Sequence, residues 1–98
     1  MEQPATLARS AVFAPIDEVG RTEAVTARLE EAIVLGMLHP GERLPAESRL
    51  AERFGVAPAT VREALADLRE RRLVTTQRGR RGGSFVTLDD ADRVAAVE

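Results

Sequence analysis

The residues of this chain that could do chemistry are its arginines. All 14 basic residues are Arg, and nine of them lie between residues 49 and 86 against only four acids, a local charge of +5. Residues 1–48 carry −4 and residues 87–98 carry −3. A polyanion responds to the local patch rather than to the formal total of −2. The guanidinium group is a permanently charged planar fork that fits phosphate oxygens and the edge of guanine. The densest cluster, Arg78-Gly79-Arg80-Arg81, places Gly between its cations, so the backbone itself can come close to a charged surface. The use of Arg to the exclusion of Lys reads chiefly as a coding bias, of the kind a GC-rich genome produces.

Other chemistries lack their residues. No Cys is present, so there is no disulfide and no thiolate nucleophile or ligand. The single His, His39, sits in a turn beside Pro40-Gly41 without a second imidazole, which leaves no metal site. No Gly-rich loop with a Lys opens a helix, so nothing cradles a nucleotide. No catalytic residue and no cofactor is therefore expected. Three Phe with no Trp or Tyr do not make a base-stacking platform for single strands. Apolar runs stay far below the ~20 residues of a membrane span, and Met1-Glu2-Gln3-Pro4 lacks the basic start of a signal segment. A cytoplasmic location is expected by default.

The elements that must carry the arginines follow from periodicity. Residues 1–20 show none and read as a flexible arm, in which Val12-Phe13-Ala14 could pair as a short strand. Val25, Leu29, Ala32, Ile33, Gly36 and Met37 share one face of a helix of about four turns, which His39-Pro40-Gly41 should end. Arg43-Leu44 is an extended link ahead of Pro45. A second helix is expected from Glu47 to Phe54 with Gly55 behind it, and a third from Pro58 to about Arg71, buried through Val61, Ala64, Leu65 and Leu68. Residues 73–77 and 84–87, around a Gly-rich turn, read as a β-hairpin. Phe54 and Phe85 are expected in the core. Asp89 or Asp90 could cap a further helix over residues 92–98, the start of a linker to a C-terminal domain not contained in these residues.

The fold class is thus mainly α with a small β-hairpin: a winged helix-turn-helix over residues 21–88, with Gly55-Val56-Ala57 as the turn. Such a turn leaves the start of the third helix free to enter a major groove. The stretch Leu38-x-Pro40-Gly41-x-x-Leu44-Pro45-Ala46-Glu47-x-x-Leu50-Ala51-x-x-Phe54-Gly55-Val56 resembles the signature of the GntR family of bacterial transcription regulators. So does its continuation through Thr60-Val61-Arg62-Glu63-Ala64-Leu65, Leu73-Val74, Gly79 and Phe85-Val86. Arg21-Thr22-Glu23 and Val61-Arg62-Glu63-Ala64-Leu65 are most similar to the FadR subfamily.

The resemblance implies sequence-specific binding of double-stranded operator DNA, with Ser48 and Arg49 of helix two, Pro58, Ala59, Thr60 and Arg62 of helix three, and Arg78, Gly79, Arg80 and Arg81 of the wing as contacts. It also implies a palindromic operator, a homodimer when intact or on DNA, and a small-molecule effector bound only by the absent C-terminal domain. A repressor is the expected role. Two departures bear on the contacts. Ser48-Arg49 stands in place of Arg-Glu, which moves the guanidinium ~100° around the helix. Ala57-Pro58 stands in place of Ser/Thr-Arg, which removes a side-chain cap and a cation.

Each contact has a plainer alternative. Arg62 could be a solvated helical Arg paired with Glu63 or Asp67, the wing a solvated turn, and Arg69, Arg71 and Arg72 complements to a helix dipole. A protein-interaction module using the same helix and the acidic flanks is the alternative function.

Overall fold

The computed structural model describes residues 9–16 and 20–87. Three helices, α1 (Arg21–Val34), α2 (Glu47–Phe54) and α3 (Pro58–Glu70), precede the antiparallel strands β1 (Val74–Gln77) and β2 (Gly83–Val86). Helix α3 is the hub: α1, α2 and β1 all pack on it. Val25, Leu29 and Ile33 from α1 meet Leu50 and Phe54 from α2 and Val61, Leu65 and Leu68 from α3, all of them fully buried. The expected linker helix at the C-terminus lies outside the described residues.

All three helices end in one way. Gly36 N–H bonds Ile33 O and Met37 N–H bonds Ala32 O, so α1 closes in a Schellman motif with Gly36 at φ +79°. The helix therefore stops before His39-Pro40-Gly41, which the sequence suggested as its end. Val56 N–H reaches Ala51 O behind Gly55 in the same way. At the end of α3, Leu73 N–H bonds Leu68 O and the left-handed position is held by Arg72, at φ +63°. A side chain there costs roughly 1–2 kcal/mol. Helix α3 opens with Pro58 in its first turn, and Ala57 supplies no side-chain cap.

The hairpin pairs Val74 with Val86 and Gln77 with Gly83 at its two ends. The link at Arg43 joins it by a bridge to Phe85, fixed by Leu44 N–H to Ser84 O at 2.8 Å and Val86 N–H to Glu42 O at 2.9 Å. Strand β2 is thereby paired on both sides. Phe85 is half-buried rather than a core residue, because the inward position of β2 belongs to Val86.

The tip of the wing leaves little room. Gly82 N–H bonds Gly79 O at 2.9 Å, and a Cβ on Gly82 would stand 2.2 Å from Gln77 O. That oxygen is backbone and cannot swing away. Gly82→Ala is expected to destabilise the hairpin by about 1–3 kcal/mol, the usual cost of overpacking. Amide exchange should accelerate across residues 74–86 and remain slow in α1 and α3. Unchanged protection of the β1 amides would show that the tip has space the geometry denies it.

Residues 9–16 depart from the expected arm and strand. Residues 9–12 are helical, and Val12, Phe13 and Ile16 are buried. Val12 ends the helical residues, and the chain then turns, with Phe13 N–H bonding Ser10 O and Ala14 N–H bonding Ala11 O, so that Phe13 and Ile16 also face the core. Phe13 lies 6.2 Å from Phe54, ring to ring, Arg53 stands over the Phe13 ring at 5.3 Å, and Ile16 N–H bonds Phe54 O at 2.7 Å. Arg28 Nη1 donates to the carbonyls of Ala11, Val12 and Ala14 at 3.0, 3.1 and 2.9 Å. Arg9 donates to Met37 O and pairs with Glu42 at 2.6 Å. Partial burial pushes the Glu42 carboxyl up, but hydrogen bonds from Arg9 and the His39 N–H, with the charge of Arg9, hold it below the usual carboxylate range.

Candidate nucleic-acid interface

Helix α3 shows two faces within one turn. Val61 is fully buried, which turns Arg62 outward, where its side chain is 63 % exposed. Pro58 and Ala59 are exposed and Thr60 is half-buried. The first turn thus presents small residues, one hydroxyl and one long cation. Pro58 and Ala59 let the helix end approach a surface closely, with apolar atoms suited to a thymine methyl.

The partners of Arg62 are not those suggested by its own helix. Arg62 Nε donates to Glu47 Oε1 at 3.3 Å, across to the first turn of α2. Glu63 instead accepts from Thr22 Oγ1 at 3.2 Å, and Asp67 pairs with Arg71 at 3.3 Å. The Glu47 carboxylate therefore ties together the starts of the two helices of the helix-turn-helix. Sequence reasoning missed Glu47 as a site residue. Its position at the N-terminus of α2, beside the exposed side of the next helix, was the available signal.

Ser48 and Arg49 follow Glu47 and are both exposed. Arg49 pairs with Glu52 at 3.6 Å, an exposed i,i+3 contact that a stronger anion would replace. Arg71 is committed elsewhere: it pairs with Glu30 at 2.7 Å and ties the end of α3 to α1. Arg69 donates to Thr76 Oγ1 at 3.1 Å, helix to wing. Both hold the frame by specific partners.

Arg78, Gly79, Arg80 and Arg81 form the exposed turn of the wing. No ion pair among the described residues occupies these three arginines. Between the wing and the start of α2 lies an open groove of about 420 Å³, lined by residues 43–48 and by Thr76, Gly83 and Ser84. Ser48 from helix two and the base of the wing thus share one concavity. Arg43, absent from the expected contacts, lies on its wall. Among the described residues no group of three His, Cys, Asp or Glu is arranged to hold a metal ion. No described helix is long and apolar enough to cross a membrane.

Comparison with known proteins gives the same outline. The family described as bacterial regulatory proteins, gntR family, matches residues 21–86. The chain is 51 % identical over 78 residues to a protein of Mycobacterium gastri named as the HTH-type transcriptional regulator RmpR, covering 80 % of this chain and 28 % of that protein. It is 40 % identical over 62 residues to the mannosyl-D-glycerate transport/metabolism system repressor MngR of Escherichia coli, covering 63 % of this chain and 25 % of that protein. The chain therefore spans less than a third of the length of these relatives. Among solved structures, a GntR family transcriptional regulator from Listeria monocytogenes superposes with a TM-score of 0.74 at 26 % identity, covering 83 % of this chain and 69 % of the other. The AraR DNA-binding domain in complex with operator ORX1 superposes with a TM-score of 0.63 at 28 % identity, over 71 % and 82 % of the two chains.

Proposed function

Because this chain belongs to the gntR family of bacterial regulatory proteins, we propose that it reads a palindromic operator with α3 in the major groove and its Arg-rich wing in the adjacent minor groove. The domain is a GntR-type DNA-binding domain of a transcriptional regulator. The observation that carries the finer reading is the outward Arg62 one step from the fully buried Val61, on a helix start that also exposes Pro58 and Ala59. Ser48, Arg49 and Thr60 complete the major-groove set. Arg78, Gly79, Arg80 and Arg81 follow the backbone and the minor groove. The intact regulator is a cytoplasmic homodimer and a repressor, FadR-like in Arg21-Thr22-Glu23 and in Val61-Arg62-Glu63-Ala64-Leu65, with an effector site in a further domain. No enzymatic activity is assigned to this domain.

Selection of duplexes from a random-sequence library, followed by affinity measurements at four salt concentrations, tests the reading. A recovered palindrome bound with a steep salt dependence supports it. Recovery of unrelated sequences bound with a flat salt profile would overturn it.

The wing is expected to act by charge and groove width rather than by base identity, since the minor groove separates A·T from G·C at best. Replacing Arg80 and Arg81 by Ala should weaken all duplexes by similar factors. If both touch phosphates, the slope of log affinity on log salt falls by about 1.8 per half-site bound, at ~0.9 per contact. If they read groove width, the loss is largest where A·T pairs flank the half-site. Affinity and slope both unchanged on every duplex would return the wing to a solvated turn.

A further inference from the structure

We propose that Arg43 is a phosphate-binding residue, seated between α2 and the wing and contacting the sugar-phosphate strand that separates the major from the minor groove. The proposal rests on the binding mode put forward above and extends it to a residue outside both helices and the hairpin tip. An α-helix in the major groove and a wing in the next minor groove must straddle one backbone strand. Whatever lines the space between them faces phosphodiesters. The start of α2, which carries Ser48 and Arg49 of the proposed major-groove set, borders that space, and a groove of about 420 Å³ separates it from the base of the wing.

Arg43 is fixed there at its backbone and open at its head. Its main chain is bridged to Phe85, and the flanking bond from Leu44 N–H to Ser84 O measures 2.8 Å. From that bridge the side chain runs along β2 over Gly83. A Cβ at Gly83 would stand 3.0 Å from Arg43 Nε and 3.5 Å from Nη2. The missing side chain at residue 83 is what leaves the guanidinium its lane.

Its charge is also unspent. Arg9, Arg49, Arg62 and Arg71 each have a carboxylate partner, whereas no ion pair or side-chain hydrogen bond among the described residues involves Arg43. Glu47 lines the same groove but gives its carboxylate to Arg62. An exposed guanidinium with a supported stem and a vacant fork is suited to a phosphate oxygen. Ser48, Thr76 and Ser84 add hydroxyl-bearing residues to the lining, and Glu47 supplies the one acid.

The test uses the full chain and a duplex recovered by the selection described above, with a scrambled duplex of equal length. Arg43→Ala should weaken both by a similar factor, roughly 5–10-fold at 0.1 M salt, and lower the salt slope by about 0.9 for each half-site bound. Arg43→Lys should keep the slope. Arg43→Gln, which fills the lane without charge, should lose it as Ala does, which separates the contact from support of the wing. Single methylphosphonate replacements should locate one phosphate per half-site whose neutralisation weakens wild type and no longer affects Arg43→Ala. A full slope in Arg43→Gln, or equal sensitivity to every methylphosphonate in wild type and Arg43→Ala, would overturn the proposal while leaving the binding mode standing. A flat salt profile in the wild type would remove the binding mode first and this contact with it.

Discussion

Replacing Arg62 by Ala is expected to erase operator discrimination while leaving the domain folded. The side chain is 63 % exposed, and its partner Glu47 is 40 % exposed at 3.3 Å. An ion pair in that setting contributes at most about 1 kcal/mol, so its loss does not threaten the fold. The proposed base contact is a different matter. A bidentate guanidinium on guanine is worth about 1–3 kcal/mol against the wrong base, and a palindrome applies the loss at both half-sites. Affinity for the selected duplex should fall toward that for a scrambled one, with the circular dichroism spectrum unchanged and the melting midpoint lowered by no more than about 4–8 °C. A folded variant that still prefers the selected duplex by the wild-type ratio would show that α3 does not read bases through Arg62.

The largest loss of stability is expected from Phe54→Ala. The ring is fully buried and stands 6.2 Å from Phe13, at the contact between α2 and residues 9–16. Truncating a buried Phe costs about 3–5 kcal/mol, the transfer of the ring plus the cavity it leaves. Domains of this kind hold only about 5–15 kcal/mol in total. The variant should therefore lie close to its unfolding midpoint at 37 °C, and its denaturation midpoint should shift without a new intermediate. A loss under about 1 kcal/mol would mean that residues 9–16 and α2 collapse onto one another and refill the space.

Most of the frame was legible because its signals are local. The bounds of α2 and α3 follow from Leu50, Ala51, Phe54 and Val61, Ala64, Leu65, Leu68 at helical spacing, with Gly55 and Pro58 as punctuation. The hairpin follows from two β-prone runs around the Gly-rich turn. What escaped was decided by distant partners. The buried pattern of Val12, Phe13 and Ile16 is too short to announce a helix, and its value lies in Phe54, on another element. Gly36 reads as one more small residue on an apolar face, yet it takes the left-handed position that ends α1. The site was legible as exposed types on known elements. Its wiring was not, because the Arg62–Glu47 contact crosses between helices, where intrahelical spacing points to Glu63 or Asp67.

The three carbonyls gathered by Arg28 have a consequence for where the domain begins. The matched family span opens at residue 21, but Arg28 lies inside that span and spends its donors on Ala11, Val12 and Ala14, before it. Cutting the chain ahead of Arg21 would strip the cover from Phe54 and leave this guanidinium facing water. The unit that survives a protease should therefore start upstream of the unit that a sequence pattern detects. A reporter fused directly to residue 21 would measure the binding of a weakened domain.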